Sequence, residues 1–277
     1  MEWVDRMNAV IDYVESHLCD EISSDEVSRI IACPYTVFQR SFVQITGVTL
    51  SEYIRRRRLT SAAYEIQNTD KRILDIALEY GYESADAFGV AFKRLHGIAP
   101  NMVRKTDTQL KFFSRLHFTL IIKGVDEMDY KMMEKDSFHV VGVRRTTPTG
   151  GGTWAIVKSD GSIEKMRGIA GEGFISMGLC FGFGDDGSND YMCGFEYGGG
   201  EILGFDQYTV PKSTWLVFEA KGAISEGVLG NTWNRIYGEF LPQSEFRQRD
   251  LPTIERYIKW DEKTDQCKVE IMMPIEN

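Results

Sequence analysis

Gln39 and Arg40 are neighbours in the stretch "VFQRSFVQITGV", residues 37–48, and both side chains can form paired hydrogen bonds. An Arg guanidinium can donate to O6 and N7 of guanine, and a Gln amide can pair with N6 and N7 of adenine, each pair giving about 1–3 kcal/mol of discrimination between bases. The alternative is that both side chains only solvate one face of a helix. The pair therefore suggests base recognition if the helix that carries it lies in a DNA groove.

A second candidate is Glu255 in "TIERY", which stands among Ile254, Tyr257 and Ile258 and needs either solvent or a partner there. One carboxylate among aromatic faces suits a lipophilic cation. The same carboxylate could instead activate water as a general base. Most aromatic side chains simply fill a core. The candidate walls of such a site, besides Tyr257, are Phe181, Tyr191, Trp215, Phe218, Trp233 and Tyr237.

Other chemistry finds little support in the sequence. The five cysteines are odd in number and never form a CxxC pair, and the four histidines stand apart, so we predict no disulfide framework, no metal site and no cofactor. No Ser/His/Asp or Cys/His arrangement indicates a nucleophile. No apolar run approaches the roughly 20 residues that span a bilayer, and the first residues are acidic, which predicts a cytoplasmic protein without membrane contact.

The composition, with 43% hydrophobic and 26% charged residues, is that of a globular protein, and the net charge of −9 excludes a uniformly basic surface. Up to about residue 105 the apolar residues recur at helical spacing. An internal repeat at an offset of 50 relates "VFQRSFVQITGV" to "AFGVAFKRLHGI", residues 87–98. Each copy has two Phe four residues apart and then a Gly suited to a helix C-cap, so we predict two helix-turn-helix units. The helices expected are 3–18, 24–32, 35–46, 49–67, 72–80, 84–96 and 100–105, with Ser24 and Ser84 as N-caps.

The second copy offers few groups that could read bases. Ala85, Asp86, Gly89 and Val90 have little polar reach, whereas Lys93 and Arg94 suit phosphate contacts. The run "RRRR", residues 55–58, points in four directions on a helix, so at most two of its members could face DNA, and Glu52 is placed to pair with Arg56.

After about residue 107 the pattern changes to alternating segments rich in β-branched and aromatic residues, which predicts strands. A sequence of strand, helical segment and hairpin occurs across 137–198 and again across 207–275. Pairing the two copies would bury a shared core and leave a cleft between them. The Gly triplets at 150–152 and 198–200 are interpreted as flexible turns. The segments predicted as strands include "LHFTLIIKG", residues 116–124, "FHVVGVRR", "STWLVFEAKG", "TIERYIKW" and "KVEIMMPI".

The segments "FQRSFVQITGVTLSEYIRRRRLTSAAYEI" and "ILDIALEYGYESADAFGVAFKRLHGIAPNMVRK" resemble the DNA-binding domain of the AraC/XylS transcription regulators, over about residues 8–105. The resemblance implies two helix-turn-helix units joined by a long helix. It directs Thr36, Gln39 and Arg40 toward DNA and makes Arg58 structural. The second unit departs from better-characterised members, which carry Gln, Thr or Arg where this chain has Ala and Gly, so it is expected to position the domain more than to read bases.

The segments "STWLVFEAKG", "WNRIYGEFLPQSEFRQRDLPTIERYIKW" and "KVEIMMPI" resemble the GyrI-like effector-binding domain. The resemblance implies a cleft for amphipathic, often cationic molecules, with Glu255 as its anion. We therefore expect an all-α DNA-binding domain over 1–106 and an α+β effector domain over 107–277.

The leading hypothesis is a regulator of promoter DNA whose small-molecule effector alters DNA binding or recruitment of RNA polymerase. One alternative is hydrolysis of a small electrophile in the second domain, with Glu255 as general base. Another is constitutive DNA binding, with a second domain whose cleft is vestigial and which serves only as a surface for a partner. Two reading units in one chain also make monomeric binding geometrically feasible.

Overall fold

The computed structural model describes residues 3–105, 109–119, 128–200 and 202–276. The chain forms two compact units: Met1–Tyr35 with Leu50–Ile121, and Thr36–Thr49 with Ile122–Asn277. The expected boundary between residues 106 and 107 lies outside the described residues. Two segments are grouped differently from that expectation, since 109–119 belong to the first unit and 36–49 to the second.

The helices expected from the apolar spacing are present, which confirms an α-helical first part. They are α1 (Trp3–Ser16), α2 (Ser24–Ile31), α3 (Tyr35–Thr46), α4 (Leu50–Asn68), α5 (Ile73–Glu79), α6 (Ala85–His96) and α7 (Pro100–Val103). Ser84 caps α6 as predicted, because its hydroxyl accepts a hydrogen bond from the Ala87 amide at 3.1 Å. The prediction for Ser24 is wrong by one residue, since Ser23 caps α2 by accepting from the Glu26 amide at 3.3 Å.

The internal repeat is a structural repeat. Phe88 and Phe92 are fully buried on α6 with ring centroids 5.4 Å apart, and Phe38 and Phe42 on α3 are equally buried, 5.5 Å apart. Gly47 and Gly97 follow these helices with φ of +73° and +81°. This is a left-handed backbone conformation that residues other than Gly rarely adopt. Identical spacing therefore gives the same inward-facing Phe pair and the same helix end in both copies.

The four consecutive arginines of α4 are engaged within the first unit. Arg55 and Arg56 both bind the Glu52 carboxylate, the latter at 2.5 Å, which confirms the predicted pair at i+4. Arg57 makes a two-point ion pair with Glu15 at 2.8 and 2.9 Å. Arg58 donates to the carbonyl oxygens of Leu18 and Asp20, each at 2.7 Å. The run thus joins α4 to the residues of α1 and the turn after it.

The predicted strand at 116–124 is wrong for its described part, residues 116–119, which pair with no strand among the described residues. Side chains of α1 and α4 bind this backbone instead. The Asn8 amide exchanges two hydrogen bonds with the peptide of Phe118, at 2.8 and 2.9 Å, and the Tyr53 hydroxyl accepts from the Leu116 amide at 3.2 Å. Residues 120–124 lie outside the described part of the chain.

The second unit is built on one eight-stranded antiparallel sheet in the order β1-β6-β8-β7-β3-β4-β2-β5. Its strands are β1 (Tyr130–Lys135), β2 (Phe138–Thr147), β3 (Ser176–Phe183), β4 (Asn189–Glu196), β5 (Asp206–Val210), β6 (Ser213–Ala223), β7 (Thr253–Asp261) and β8 (Gln266–Ile275). The orders β6-β8-β7 and β2-β4-β3 are the same arrangement, which confirms the predicted duplication. The two copies meet where β7 pairs with β3.

Helices lie on the same face of both halves. The first half carries α8 (Gly150–Ser159) and α9 (Ser162–Ala170), and the second carries α10 (Val228–Arg235), a π-helical turn (Ile236–Phe240) and α11 (Leu241–Gln243). The interpretation of residues 150–152 as a turn is wrong, because they begin α8. A Cβ on Gly150 would lie 3.1 Å from the Tyr191 ring, so a residue without a side chain allows this close packing.

The inward Phe pair of α6 gives a testable prediction. Phe92→Ala should lower the free energy of unfolding by about 3–5 kcal/mol, because it leaves a cavity beside Phe88 in the buried helical core. Urea denaturation followed by circular dichroism measures this change. Phe112→Ala is the control, since Phe112 is 75% exposed and should change stability by no more than about 0.5 kcal/mol. Equal effects of the two changes would contradict the packing described here.

Candidate ligand site and nucleic-acid interface

Glu255 lies at the centre of the sheet. The strand register aligns six residues in one row across it, in the order Phe218, Ile271, Glu255, Gly178, Cys193 and Val143. Because side chains directly opposite each other share a face, Glu255 is on the side that carries the helices. The position next to it is Gly178, so the carboxylate stands where the two halves meet and where its neighbour occupies almost no volume.

Three donors hold the Glu255 carboxylate. The hydroxyls of Tyr191 and Tyr257 both donate to Oε2 at 2.7 Å, and the indole N–H of Trp233 donates to Oε1 at 2.7 Å. The indole N–H of Trp154 in turn donates to the Tyr191 hydroxyl at 3.3 Å. These donors come from both copies of the duplicated motif, since Tyr191 is on β4 and Tyr257 on β7.

A cavity of about 1430 Å³ opens above this carboxylate. Its aromatic side chains contact one another edge to face or by stacking: Trp154 meets Tyr257 at 5.0 Å between ring centroids, and Trp233 stacks on Tyr237 at 5.7 Å. Arg40 and Gln44 of α3, which belongs to this unit, also line the cavity. The site is therefore a pocket with an anchored carboxylate and several aromatic side chains at its base. Its lining also includes cationic side chains, namely Arg40, Lys158, Arg167, Lys259 and Lys263.

The polar groups around the carboxylate keep their protons. Burial, reinforced by the charge of Glu255, raises the pKa of Tyr191 and of Tyr257 well above the usual tyrosine value, so both hydroxyls act as donors. Burial also raises the pKa of the Cys193 thiol, and it raises the pKa of Cys180 to about 11. Neither thiol is a thiolate at neutral pH, so neither supplies a ready nucleophile.

Five of the eight residues expected around an effector line this cavity: Glu255, Tyr257, Trp233, Tyr237 and Tyr191. The other three, Trp215, Phe218 and Phe181, lie elsewhere. Trp215 is fully buried in the core on the opposite sheet face. Phe218 is covered by Phe240 at 5.0 Å between ring centroids. Phe181 packs on Tyr208, with the Arg144 guanidinium 3.7 Å from its ring centroid.

Sequence reasoning missed Trp154 and Gly178. Trp154 was not predicted because the preceding Gly triplet suggested a turn. In the structure, Trp154 lies on α8 beside Tyr191. Gly178 is required by geometry, because a Cβ built there would be 1.7 Å from the Tyr191 hydroxyl oxygen. Only the strand register brings these residues to Glu255, so no local sequence signal could have identified Gly178.

On α6, Asp86 and Val90 are exposed, and Ala85 and Gly89 are half-buried, among the four residues expected to offer little to DNA bases. Asp86, Ala87, Lys93 and Arg94 are exposed, and Val90 is 72% exposed. A Cβ on Gly89 would meet no other atom within 4 Å, so packing inside the described protein does not require Gly at this position. The face opposite Phe88 and Phe92 is thus a smooth helix surface with two cations near its C-terminal end.

On α3, which belongs to the second unit, two of the three residues expected to face DNA form hydrogen bonds with other residues of that unit. The Thr36 hydroxyl donates to Asp250 at 2.5 Å. Arg40 is only 3% exposed and donates to the carbonyl oxygen of Leu251 at 2.7 Å. Gln39 is half-buried. The expectation of a solvent-facing Arg40 therefore differs from the structure, because its guanidinium is held against the sheet.

Comparisons with known proteins agree with these two parts. Residues 27–106 match a helix-turn-helix domain, and residues 128–276 match the GyrI-like small molecule binding domain. The transcriptional activator AarP of Providencia stuartii is 36% identical over 102 residues, which are 37% of this chain and 76% of AarP. The regulatory protein SoxS of Salmonella typhimurium is 34% identical over 98 residues, which are 35% of this chain and 92% of SoxS. The structure of SAV2435 bound to tetraphenylphosphonium matches 54% of this chain and 95% of that chain, at 21% identity and a TM-score of 0.45.

The fold and the matches define a DNA-binding transcription regulator that senses a small molecule. The chain belongs to the GyrI-like family, joined to a DNA-binding part of the AraC type. The relatives are regulators and give no support to the hydrolase alternative. Among the described residues, no helix is long and apolar enough to cross a bilayer.

The steric role of Gly178 is open to a direct test. Gly178→Ala should displace Tyr191 from Glu255 and lower the free energy of unfolding by about 1–3 kcal/mol, because the added methyl overlaps the hydroxyl. The double variant Gly178→Ala/Tyr191→Phe should recover part of the loss, since it lacks the nearest atom. Gly168→Ala is the control, because its Cβ would be in open space on α9. Urea denaturation of all four proteins makes the comparison, and a stability of Gly178→Ala equal to wild type would refute the clash.

Proposed function

We propose that the effector is a bulky, weakly hydrated cation that lacks N–H donors, and that it binds between the aromatic walls against Glu255. The observation that carries this proposal is the set of three donors already bound to the carboxylate. Oε2 accepts two hydrogen bonds and Oε1 accepts one, so about one of the roughly four acceptor positions of a carboxylate is left.

This count discriminates between kinds of cation. A primary ammonium needs about three acceptors when it leaves water and would find about one at Glu255. A quaternary ammonium or phosphonium needs none, because its charge is spread over carbon-bound groups. The negative charge of Glu255 and the faces of Trp154, Trp233 and Tyr257 attract such a cation without directed hydrogen bonds. The pocket thus favours diffuse positive charge.

For DNA, we propose that α3 reads bases through Thr36, Gln39 and Arg40 once these side chains are free, and that Lys93 and Arg94 of α6 bind phosphates. The exposure of Lys93 and Arg94 supports the second role. The partner is double-stranded promoter DNA. The effector then changes either this binding or the recruitment of RNA polymerase, with residues 1–106 as the DNA-binding part and 107–277 as the effector-binding part.

Effector binding is tested with tetraphenylphosphonium as the probe, measured by isothermal titration calorimetry on the full-length protein. Glu255→Gln should weaken binding by at least about tenfold, because it removes the carboxylate charge at the base of the pocket and keeps the shape. Glu262→Gln is the matched control at the rim, where Glu262 pairs with Lys158 at 3.0 Å. Equal affinity of Glu255→Gln and wild type would refute the proposed role of the carboxylate.

The preference among cations has its own test. Tetraphenylphosphonium should bind more tightly than a primary alkylammonium of similar apolar area, because only the second must give up N–H hydrogen bonds to water. The same calorimetry gives both constants. A primary ammonium that binds equally well would show that the count of acceptors at Glu255 does not set the specificity.

The phosphate role of α6 predicts a change in salt dependence. Lys93→Ala should lower the slope of log affinity against log salt by about 1 and weaken binding alike across sequences. Lys71→Ala is the control, since Lys71 is paired with Glu65 and with Glu79 in the same unit. Fluorescence anisotropy with a labelled duplex at several salt concentrations measures the slopes, and an unchanged slope for Lys93→Ala would remove this residue from the interface.

A further inference from the structure

Three polar side chains of α3 form hydrogen bonds with other residues of the second unit. Thr36 donates to Asp250, Arg40 donates to two carbonyl groups, and the Gln44 amide donates to the side chain of Asn234 at 2.9 Å. Three side chains one helical turn apart lie along one face of a helix. The contacts therefore involve a whole face of α3, including two of the residues to which DNA reading is assigned above.

Arg40 is the most deeply held of these side chains. Its Nη1 donates to the carbonyl oxygens of Leu251 at 2.7 Å and Cys180 at 3.3 Å, and Nη2 lies 3.7 Å from the Asp250 carboxylate. Nε and Nη2 are buried and have no hydrogen-bond partner among the described residues. A guanidinium with unsatisfied donors is poorly compensated, so this docked arrangement can be displaced by a modest competing interaction.

The anchors of Arg40 are part of the effector pocket. Cys180 lines the pocket on β3 and pairs with Thr253 on β7, two residues before Glu255. Leu251 lies two residues before the start of that strand. Arg40 itself lines the same cavity as Glu255. The positive charge of Arg40 and a cationic effector would therefore occupy one pocket together, where like charges repel and water screens them little.

We propose that docked α3 is an autoinhibitory contact, that Arg40 supplies the positive charge of the pocket when no effector is bound, and that a cationic effector releases α3 for DNA. A side chain that is 3% exposed cannot reach a base edge, so docking and base reading exclude each other. A cation at Glu255 destabilises the docked state by repulsion and leaves the released state unaffected. The effector therefore strengthens DNA binding, and by reciprocity DNA strengthens effector binding by the same factor.

This inference rests on the proposed base-reading role of α3, and the contact can be removed from the other side. Asp250→Ala takes away the acceptor of Thr36 and the nearest anion to Arg40 without changing α3. Asp250 is 53% exposed, so the variant is expected to fold. Asp206→Ala is the control, because it also removes one carboxylate from the second unit, and that carboxylate pairs with Arg145 of β2, at 3.3 Å, and not with α3.

The experiment measures DNA affinity of the full-length proteins by fluorescence anisotropy at fixed salt. The duplex is selected from a random library with the Asp250→Ala protein. Without a cation, Asp250→Ala should bind about tenfold more tightly than wild type or Asp206→Ala. Saturating tetraphenylphosphonium should raise the affinity of wild type by a similar factor and that of Asp250→Ala much less.

Two results would overturn the proposal: Asp250→Ala binds DNA no more tightly than wild type, or tetraphenylphosphonium weakens DNA binding of wild type. The first comparison uses no effector. Tighter DNA binding by Asp250→Ala than by wild type therefore supports the autoinhibitory contact even if the probe fails to bind. Failure of the probe in calorimetry refutes the proposed effector class alone. Calorimetry with and without the duplex checks reciprocity, since the probe should bind more tightly to the DNA complex.

Discussion

The Glu255 carboxylate and its three donors are the constraint on which the second unit depends. A carboxylate in the middle of a sheet face is costly unless hydrogen bonds satisfy it, and here a Tyr from one half, a Tyr from the other and a Trp from the helical layer do so. Because the donors come from both halves, the two copies of the motif must keep a fixed register along β3 and β7. The proposed ligand site and the integrity of the sheet thus share one set of hydrogen bonds.

The duplicated architecture explains why a pocket forms at this place. Each half covers its own part of the sheet with helices, and the helical layers leave the central strands β7 and β3 between them. Gly178 adds no side chain in this gap, which leaves room for the Tyr191 hydroxyl beside Glu255. A larger residue would fill the seam and push the tyrosine away. The absence of a side chain is therefore as necessary as the presence of the carboxylate.

The helical part uses its charges differently. The four arginines at 55–58 satisfy Glu52, Glu15 and two carbonyl groups within one unit, so the most basic stretch of the chain is structural. The exposed cations on α6 are few, and Arg40 is held by carbonyl groups at the pocket. In a chain with a net charge of −9, the position of a few cations decides how well the protein can approach a polyanion.

The sequence by itself determined the helices, the two Phe pairs, most of the strand segments and both family resemblances, because these depend on local spacing and residue type. It could also have shown that Trp215 and Phe218 lie on opposite faces of the sheet, since side chains three positions apart along a strand point to opposite sides. Tertiary structure alone decided that Trp154 and Gly178 stand at the carboxylate, that Phe218 lies under Phe240, and that Arg40 is buried. These facts depend on strand register and on how helices cover the sheet. Both bring together residues that are distant in the chain, up to 211 positions for Arg40 and Leu251, and no local pattern encodes such contacts.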